Sequence, residues 1–304
     1  MQNTLSIVIV NWNAGEQLLN CITSIQNSVF TGFVLDRIIV VDNASSDNSL
    51  SLLPQWEKLS IIKSSSNLGF GKACNLGAKQ STGNLVLFLN PDTQLMPDSL
   101  DQAISKFIAI NCTSKYGVLG VQLRYENGVI QKSCANFFTL SRYISESLGF
   151  SKFFPNSGIH QVNFSHNESR DVEHVIGAFY LMNKEVFNSV GGFDEDYFVY
   201  FEDLDLSYRL YKLGYKSYFY TGTHVMHVGG GCSQQIKATR LFYVLQSKLI
   251  YVGKHFSFCS RVIATGVTLF VEPFTRIIFS AIKGDFKGVK ETITGYKLLY
   301  KKIL

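Results

Sequence analysis

The chain has 304 residues, of which 46% are hydrophobic and 17% are charged, and its formal net charge is +5. A chain of this length can bury a large core without disulfides or structural metals, and its mean hydropathy of +0.10 excludes a polytopic membrane protein. Residues 237–304 hold 12 Lys or Arg and only three acidic residues, which argues against nucleic-acid binding and favours contact of this segment with an anionic surface.

Short apolar runs alternate with helical patterns in the first 90 residues. The runs Leu5–Val10, Arg37–Val41 and Leu85–Leu89 are predicted as strands buried on both faces. A helical pattern over residues 15–28 separates the first two, and another helix around residues 75–79 precedes the third. This alternation predicts an α/β fold with a mainly parallel central sheet and helices on both faces.

Polar residues follow each of these three strands. Asn11 follows the first, Asp42 the second, and Asn90 and Asp92 the third. Because ligands bind at the carboxyl ends of the strands in open α/β sheets, we expect these residues to surround one crevice. Asp42 could hydrogen-bond a base or ribose, although taken alone it is better explained as a helix cap. Asp92 could hold a divalent cation that bridges a diphosphate, but a turn explains it equally well.

A glycine-containing turn precedes the helix that contains Asn75. The turn runs from Asn67 through Gly69 to Gly71, and the free N–H groups of a helix start can bind phosphate. It matches neither the dinucleotide-binding nor the P-loop glycine pattern, which argues against a nicotinamide dehydrogenase or a kinase.

Acidic and aromatic residues are concentrated between Gly177 and Arg209. Glu202 and Asp203 begin a predicted helix directly after several aromatic residues. Acids in a first helical turn stabilise the helix dipole by about 0.3–1 kcal/mol, which is a purely structural explanation. Desolvation by the aromatic rings would instead raise the pKa of a carboxyl and make it a better proton acceptor from a hydroxyl. Asp205 and Arg209, four residues apart, are expected to form a structural ion pair.

Histidine and cysteine positions limit the possible metal sites. His224 and His227 end a predicted strand and, being three apart, point to opposite faces of it, so one of them can be a ligand and His227 is the candidate. The other histidines, including His174, are expected to be structural. The six cysteines are scattered singly with no C-x-x-C, which argues against a zinc or redox motif.

The two ends of the chain bear on its location. Residues 1–10 have neither a basic start nor a long apolar run, so we expect no signal peptide and a cytoplasmic protein.

In the apolar stretch 258–283, only ten residues separate Arg261 from Glu272, so we expect it not to span a bilayer. An apolar helix broken at Pro273 and rich in Lys nearby suits the membrane interface. A helical hairpin packed on the body is the alternative.

Several segments in order resemble glycosyltransferase family 2, in particular its bacterial rhamnosyltransferase-like branch. They are SIVIVNWNAGEQLLNCITSI, IIVVDNASSDNS, NLGFGKACNLG, LFLNPDT, GAFYLMNKEVFNSVGGFDEDYFVYFEDLDLSYRL and HVMHVGGGCS. The resemblance implies a GT-A fold, with residues 1–233 as the catalytic domain and residues 234–304 as a helical, basic, amphipathic extension. It also implies inverting transfer of a sugar from a nucleotide donor, usually dTDP-rhamnose or a UDP-sugar, to a glycan hydroxyl in cell-surface polysaccharide synthesis.

The resemblance assigns roles to individual residues. Asp203 would be the general base, with Glu202 as the alternative. Asp92 and His227 would hold a divalent cation, Mg²⁺ or Mn²⁺, and Asn90 stands where the family's metal motif has its first acid. The residues assigned to the nucleotide-sugar donor are Asn11, Asp42, Asn67, Gly69, Asn75, Asn90, Asp92 and Gly177.

The basic C-terminal segment favours a polyprenyl-diphosphate-linked glycan acceptor, used by a peripheral protein at the inner face of the cytoplasmic membrane. The alternatives are a UDP-hexose donor with a soluble acceptor, or a non-catalytic nucleotide-sugar-binding protein. A sugar nucleotidyltransferase would need a basic, glycine-rich loop after the first strand, where this chain has Asn11-Trp12-Asn13. The sequence does not set the oligomeric state.

Overall fold

The first half of the sheet is built from alternating strands and helices. The computed structural model describes residues 2–161, 163–229 and 237–303. The elements up to the third polar cluster are β1 (Thr4–Asn11), α1 (Glu16–Gln26), β2 (Val34–Asp42), β3 (Leu59–Lys63), α2 (Phe70–Gln80) and β4 (Leu85–Leu89). The three strands and two helices predicted from the sequence here are confirmed.

The second half of the sheet is less regular. Its elements are β5 (Thr93–Leu95), α3 (Ser99–Asn111), β6 (Tyr116–Arg124), β7 (Cys134–Ala135), α4 (Leu140–Leu148), β8 (Arg170–Val172), β9 (His174–Val175), β10 (Phe179–Asn183), α5 (Lys184–Ser189), α6 (Glu202–Lys212) and β11 (Lys216–His227). Among the described residues, four helical segments follow: α7 (Lys237–His255), α8 (Phe258–Gly266), α9 (Glu272–Ile282) and α10 (Phe286–Ile303).

The strand order of the main sheet is β3-β2-β1-β4-β10-β6-β11-β5, with β8 also paired to β11. β1 pairs in parallel with β2 and β4, β2 with β3, and β6 with β11, whereas β10 is antiparallel to both of its neighbours. The central strands β1 and β4 are buried almost throughout, because helices cover both faces of the sheet. The predicted α/β fold with a mainly parallel central sheet is confirmed.

Helix α2 packs unusually close to the sheet because its inner face consists of small residues. A Cβ atom on Gly77 would lie 2.5 Å from Cγ1 of Val8 and 3.1 Å from Cγ2 of Val41. No side chain fits at that distance, so glycine at this position sets how closely the helix approaches β1 and β2.

The chain divides into two compact units. The first contains the main sheet and comprises the described residues of Met1–Ala135, Ser165–Glu195 and Glu202–Cys232. The second comprises those of Asn136–Phe164, Asp196–Phe201 and Ser233–Leu304. The predicted domain boundary between residues 233 and 234 lies outside the described residues, and the division into a catalytic domain and an extension stays a prediction.

The second unit has its own apolar contacts. Leu245, Tyr296 and Leu299 are buried together between α7 and α10. The rings of Phe138 and Phe201 stack with their centroids 5.6 Å apart. Burial of aromatic rings in this way stabilises the helices of the unit against one another.

The apolar segment of the second unit forms one long helix. α8 continues through a π-helical turn, Val267–Val271, into α9. The resulting helix, Phe258–Ile282, has 25 residues and is long and apolar enough to cross a membrane by length and composition. The prediction that the segment is too short to span is therefore wrong on length, because Glu272 is buried inside the unit and does not interrupt the helix.

The close approach of α2 to the sheet predicts a specific stability effect. We expect Gly77→Ala to lower the free energy of unfolding by about 1–3 kcal/mol, because the added methyl group overpacks the contact with Val8. The matched control is Gly253→Ala in α7, where a Cβ meets nothing within 4 Å and the better helix propensity of Ala stabilises by up to ~1 kcal/mol. Urea unfolding followed by circular dichroism measures both, and equal effects of the two substitutions would contradict the close-packing argument.

Candidate active site

The polar residues after β1, β2 and β4 lie at one edge of the sheet. Asn11 and Asp42 are the last residues of their strands and are paired directly in the β1–β2 register. Ile9 pairs with Leu89, so Asn90 leaves β4 at the same edge. Parallel pairing thus places the residues predicted to bind a donor side by side.

Asp42 is held in a buried hydrogen-bond network. Asn11 Nδ2 donates to Asp42 Oδ1 at 2.8 Å and also lies 2.8 Å from Ser49 Oγ. The other oxygen, Asp42 Oδ2, accepts a longer bond of 3.4 Å from the N–H of Ser45. Asn11 Oδ1 is buried with no partner among the described residues. The carboxylate is therefore fixed in orientation at the strand end, which is what recognition of a ribose or base requires.

Asn43 joins the glycine-containing turn at Asn67–Gly69 to the end of β2 through side-chain hydrogen bonds. This role was not predicted from the sequence. Asn43 Nδ2 donates to Asn67 Oδ1 at 2.9 Å and to the carbonyl of Gly69 at 3.0 Å, and its Oδ1 accepts from the N–H of Leu68 at 2.9 Å. Gly69 has a φ of +82° at the start of α2, a conformation that glycine adopts without strain. The predicted donor residues Asn67 and Gly69 are thus joined to the Asp42 edge through one amide.

Asn75 has a different environment. Its Nδ2 donates to the carbonyl of Phe193 at 2.8 Å and to Glu195 Oε1 at 3.1 Å, and its Oδ1 accepts from the N–H of Phe193 at 2.9 Å. Both amide hydrogens are used in tying α2 to the loop before α6. A contact of Asn75 with the donor would have to replace these bonds, so the structure supports a positioning role for it.

Asp92 and His227 meet because β5 and β11 are antiparallel neighbours. Thr93 pairs with His227, and His227 Nε2 lies 3.3 Å from Asp92 Oδ1. Asn90 Nδ2 is 3.4 Å from the same ring nitrogen. The N–H of Gly229 donates to Asp92 Oδ2 at 3.1 Å. The residues predicted to hold a cation are therefore in contact.

Gln131 sets the tautomer of His227. Its amide nitrogen donates to the backbone carbonyl of His227, so its Oε1, 2.9 Å from Nδ1, accepts the Nδ1 hydrogen. In a neutral ring Nε2 then carries a lone pair toward Asp92. An imidazole nitrogen and a carboxylate oxygen 3.3 Å apart can bind the same metal ion. Outer hydrogen bonds of this kind orient metal-binding histidines, and sequence reasoning had no signal for Gln131.

The electrostatics of Asp92 agree with a charged carboxylate. Burial acts to raise its pKa, but the hydrogen bond and charge of His227 and the N–H of Gly229 outweigh burial and hold the pKa below its usual value. Among the described residues, no group of three or more acidic, histidine or cysteine side chains forms a metal cage. One carboxylate and one imidazole nevertheless fit a cation whose remaining ligands are phosphate oxygens and water.

Asp203 lies in the first turn of α6 with both oxygens bonded to backbone. Oδ2 accepts from the N–H of Gly177 at 2.7 Å and Oδ1 from the N–H of Leu204 at 2.8 Å. A Cβ on Gly177 would lie 3.2 Å from Oδ2, so glycine permits this approach. The structure thus places Gly177, predicted as a donor residue, against Asp203. The side chain of Asp203 keeps 19% of its surface exposed.

Glu202 differs sharply from its neighbour. Its carboxyl is buried, and Oε2 has no hydrogen-bond partner within the described part of the chain. Burial, reinforced by the negative charges of Asp203 and Asp205, raises the pKa of Glu202 well above its ordinary value. Burial and the raised pKa favour the protonated form of Glu202, which cannot accept a proton from a substrate, so the geometry favours Asp203 over Glu202 as a base.

His174 extends the surroundings of Asp203 and was expected only to be structural. Its Nε2 lies 3.7 Å from Asp203 Oδ2, and its Nδ1 is 2.9 Å from Ser207 Oγ. The hydroxyl of Tyr180 is 2.7 Å from Ser207 Oγ and donates to the carbonyl of Asp203 at 3.4 Å. Burial lowers the pKa of His174, although the charge of Asp203 opposes this effect. A neutral imidazole therefore lies next to the Asp203 carboxylate.

Two further features flank the acids. Tyr200 and Phe201, directly before α6, have φ values of +68° and +72°, a left-handed conformation that bulky residues adopt only under constraint. Asp205 forms the predicted pair with Arg209, with Oδ2 2.7 Å from Nε, and Arg209 also donates to the carbonyls of Val190 and Gly192. The structural role expected of Asp205 is confirmed.

The family model and the similar proteins of known name all indicate a glycosyltransferase. The chain matches the family described as "Glycosyl transferase family 2" over residues 6–191, more than half of its length. It is 27% identical over 243 residues to the N-acetylglucosaminyl-diphospho-decaprenol L-rhamnosyltransferase of Mycobacterium tuberculosis, covering 75% of this chain and 76% of that relative. It is 26% identical over 229 residues to the rhamnosyltransferase WbbL of Escherichia coli K12, covering 72% and 82%.

A solved structure agrees at the level of the fold. The mannosyltransferase PcManGT of Pyrobaculum calidifontis, in complex with GDP-Man and Mn²⁺, superposes with a TM-score of 0.56 at 15% identity, over 98% of this chain and 81% of that one. The strand order and the position of the polar edge are those expected of a GT-A fold. The chain belongs to glycosyl transferase family 2.

Proposed function

We propose that the protein transfers a sugar, L-rhamnose from dTDP-rhamnose, to a hydroxyl of a polyprenyl-diphosphate-linked glycan with inversion at the anomeric carbon. The observation that carries the transferase proposal is the position of Asp203, an accessible carboxylate with both oxygens oriented by backbone N–H groups. Support for the donor and acceptor comes from the two relatives, which are named as rhamnosyltransferases and one of which acts on a decaprenol-linked sugar.

The donor would lie along the carboxyl edge of the sheet. Asp42, whose Oδ1 accepts a hydrogen bond from Asn11 Nδ2, would hydrogen-bond the nucleoside. The turn at Asn67–Gly69 leads into the start of α2, where the N–H groups of the first helical turn favour phosphate. Asp92 and His227 would hold Mg²⁺ or Mn²⁺, which when bound neutralises charge on the diphosphate leaving group.

Asp203 would act on the acceptor. As the acceptor oxygen attacks the anomeric carbon, its proton passes to Asp203, and the bond from that carbon to the diphosphate oxygen breaks with its electron pair leaving on the nucleotide. In-line attack inverts the anomeric centre. The N–H groups of Gly177 and Leu204 keep the carboxylate oriented during the transfer.

The place of action follows from the proposed acceptor. A polyprenyl diphosphate anchors its glycan in the cytoplasmic membrane, so the enzyme would work at the inner face as a peripheral protein. The 12 basic and three acidic residues of segment 237–304 match the negative charge of that surface.

A donor panel tests the proposed reaction. We expect dTDP release from dTDP-rhamnose, but not nucleotide release from UDP- or GDP-sugars, when N-acetylglucosaminyl-diphosphoprenol is the acceptor.

Asp203→Asn should retain dTDP-rhamnose binding and lose transfer by at least about 10²-fold, since base catalysis is typically worth that much. Glu185→Gln, an exposed acid on α5, is the matched control and should be unaffected. Turnover only with a UDP-hexose would reject the proposed donor, and binding without turnover would indicate a binding protein.

The proposed cation site predicts metal binding that can be measured apart from activity. With dTDP present, Mn²⁺ affinity followed by electron paramagnetic resonance should fall at least roughly tenfold in Asp92→Asn, because one of the two protein ligands is lost. Asp98→Asn, an exposed acid nearby in the chain, should bind Mn²⁺ as the unaltered protein does. EDTA should stop transfer. Unchanged Mn²⁺ affinity in Asp92→Asn would overturn the site.

His174 is predicted to position Asp203. His174→Ala should lower kcat by up to about 10²-fold, the order of loss that a misplaced reacting group causes, while the KM for the donor stays within a factor of two or so. His174→Gln, which can place an N–H near Asp203, should recover part of the rate. His224→Ala on β11 is the control. Equal loss in the Ala and Gln variants, accompanied by a lower Tm, would mean that His174 serves stability alone.

A further inference from the structure

The helix Phe258–Ile282 carries a continuous apolar stripe on its exposed side. Its members occupy every fourth position apart from Gly266 and continue into the start of α10. They are Phe258, Val262, Phe270, Phe274, Ile278, Ile282 and Phe286, and each is between 54% and 79% exposed. Soluble surfaces rarely expose this many large apolar side chains in one row, so the stripe indicates a binding surface.

The π-helical turn reduces how far the stripe winds around the helix. Residues four apart advance by about 40° around a regular α-helix, so a long stripe with this spacing would wind around it. The turn Val267–Val271 lies in the middle of the stripe and has more residues per turn than an α-helix, which reverses part of that drift. The stripe therefore winds less far around the helix than it would around a regular α-helix of the same length.

The opposite side of the same helix is fixed to the second unit through polar groups. Ala264, Thr268 and Glu272, again four apart, are fully buried or nearly so. Thr268 Oγ1 bonds to the hydroxyl of Tyr143 on α4. Thr275 Oγ1 donates to the carbonyl of Ser147 at 2.8 Å.

Glu272 forms the centre of a buried charge network. Its Oε2 accepts from Lys248 Nζ of α7 at 2.7 Å, and its Oε1 from Arg276 Nη2 at 2.8 Å. Lys248 Nζ also donates to Ser147 Oγ at 2.6 Å. Crossing a bilayer would place Glu272 near its centre and separate it from Lys248, and unpaired charges in an apolar interior are strongly unfavourable.

A second segment adds to the exposed apolar surface. Phe150, Phe153 and Phe154, in the turn after α4, are all more than half exposed. The ring of Phe153 contacts that of Phe279, with centroids 6.3 Å apart, and Lys152 Nζ lies 4.1 Å from the Phe279 ring centre. The turn and the helix therefore expose their phenylalanines as neighbours.

Cations gather beside this surface. The pKa of Lys152 is lowered by partial burial and by the nearby positive charges of Lys283 and Arg276. The guanidinium of Arg261 lies 5.7 Å from the ring centre of Phe258. Phenylalanines bordered by cations match a bilayer that has apolar chains beneath anionic headgroups.

We infer that the helix Phe258–Ile282 lies flat in the interface of an anionic membrane, with its stripe and the Phe150–Phe154 turn inserted among the acyl chains, and does not cross the bilayer. This inference takes the membrane location from the proposed function. It adds which surface binds, which lipid charge it needs, and that residues 283–303 stay on the same side as the rest of the second unit.

Vesicle binding tests the surface. The full chain should sediment with vesicles of phosphatidylcholine and phosphatidylglycerol at 3:1, and much less with phosphatidylcholine alone. The variant Phe270→Ser, Phe274→Ser, Ile278→Ser should bind roughly tenfold or more weakly, because three large apolar groups no longer enter the bilayer. A matched triple on the first unit, Ile61→Ser, Val129→Ser, Leu213→Ser, should bind normally. Equal binding of the two triples would overturn the inference.

Cysteine labelling tests the topology. Lys301→Cys is introduced into a Cys259→Ser background, and inside-out membrane vesicles of the expressing bacterium are treated with a membrane-impermeant maleimide. The exposed Cys112 of α3 provides the reference, and labelled peptides are scored by mass spectrometry. We expect the ratio of label at residue 301 to label at residue 112 to be the same with and without detergent. A ratio that rises severalfold in detergent would show a spanning helix.

Donor turnover separates the two proposals. Both triple variants should release dTDP from dTDP-rhamnose in detergent with a short-chain acceptor as the unaltered chain does. Vesicle binding without any donor turnover would reject the proposed reaction and leave the membrane surface standing. Turnover without vesicle binding would reject the membrane surface alone.

Discussion

Parallel pairing of β1 with β2 and β4 is the constraint on which the proposed donor site depends. It makes three strands end at one edge and sets Asn11 directly opposite Asp42. The side chains there then orient one another through hydrogen bonds. Asn43 connects the same edge to the turn before α2, and Gly77 lets that helix lie close against the strands. The position of the proposed nucleotide site is therefore a property of backbone packing.

Much of this edge could be predicted from the sequence because it depends on local signals. Runs of branched apolar residues identify buried strands, and the turn formers after them identify their ends. His174, Asn43 and Gln131 could not be predicted, because their roles arise from contacts made by residues distant in the chain: Gln131 with His227, and His174 with Asp203. Asn75 is the opposite case: its position in the sequence predicted a donor contact, but its side chain bonds to a loop more than 100 residues away.

In the long helix of the second unit, the number of charged residues in the sequence does not predict the length of the apolar surface. Glu272 interrupts the apolar run in the sequence, yet in the structure it faces inward and is neutralised by Lys248 and Arg276. A charge on the buried side of a helix says nothing about how apolar the other side is. The exposed stripe becomes visible only when the helix is divided into its two faces.

The raised pKa of Glu202 has a consequence for the binding of an anionic ligand. With its pKa raised by burial and by neighbouring acids, Glu202 is shifted toward its neutral form, so the first turn of α6 carries less negative charge than its sequence implies. A nucleotide sugar with a diphosphate is itself anionic, and each negative charge removed from the walls of a site reduces the repulsion that the incoming donor must overcome. Burial of one acid thus favours binding of the proposed anionic donor, while Asp203 stays available as the proposed base.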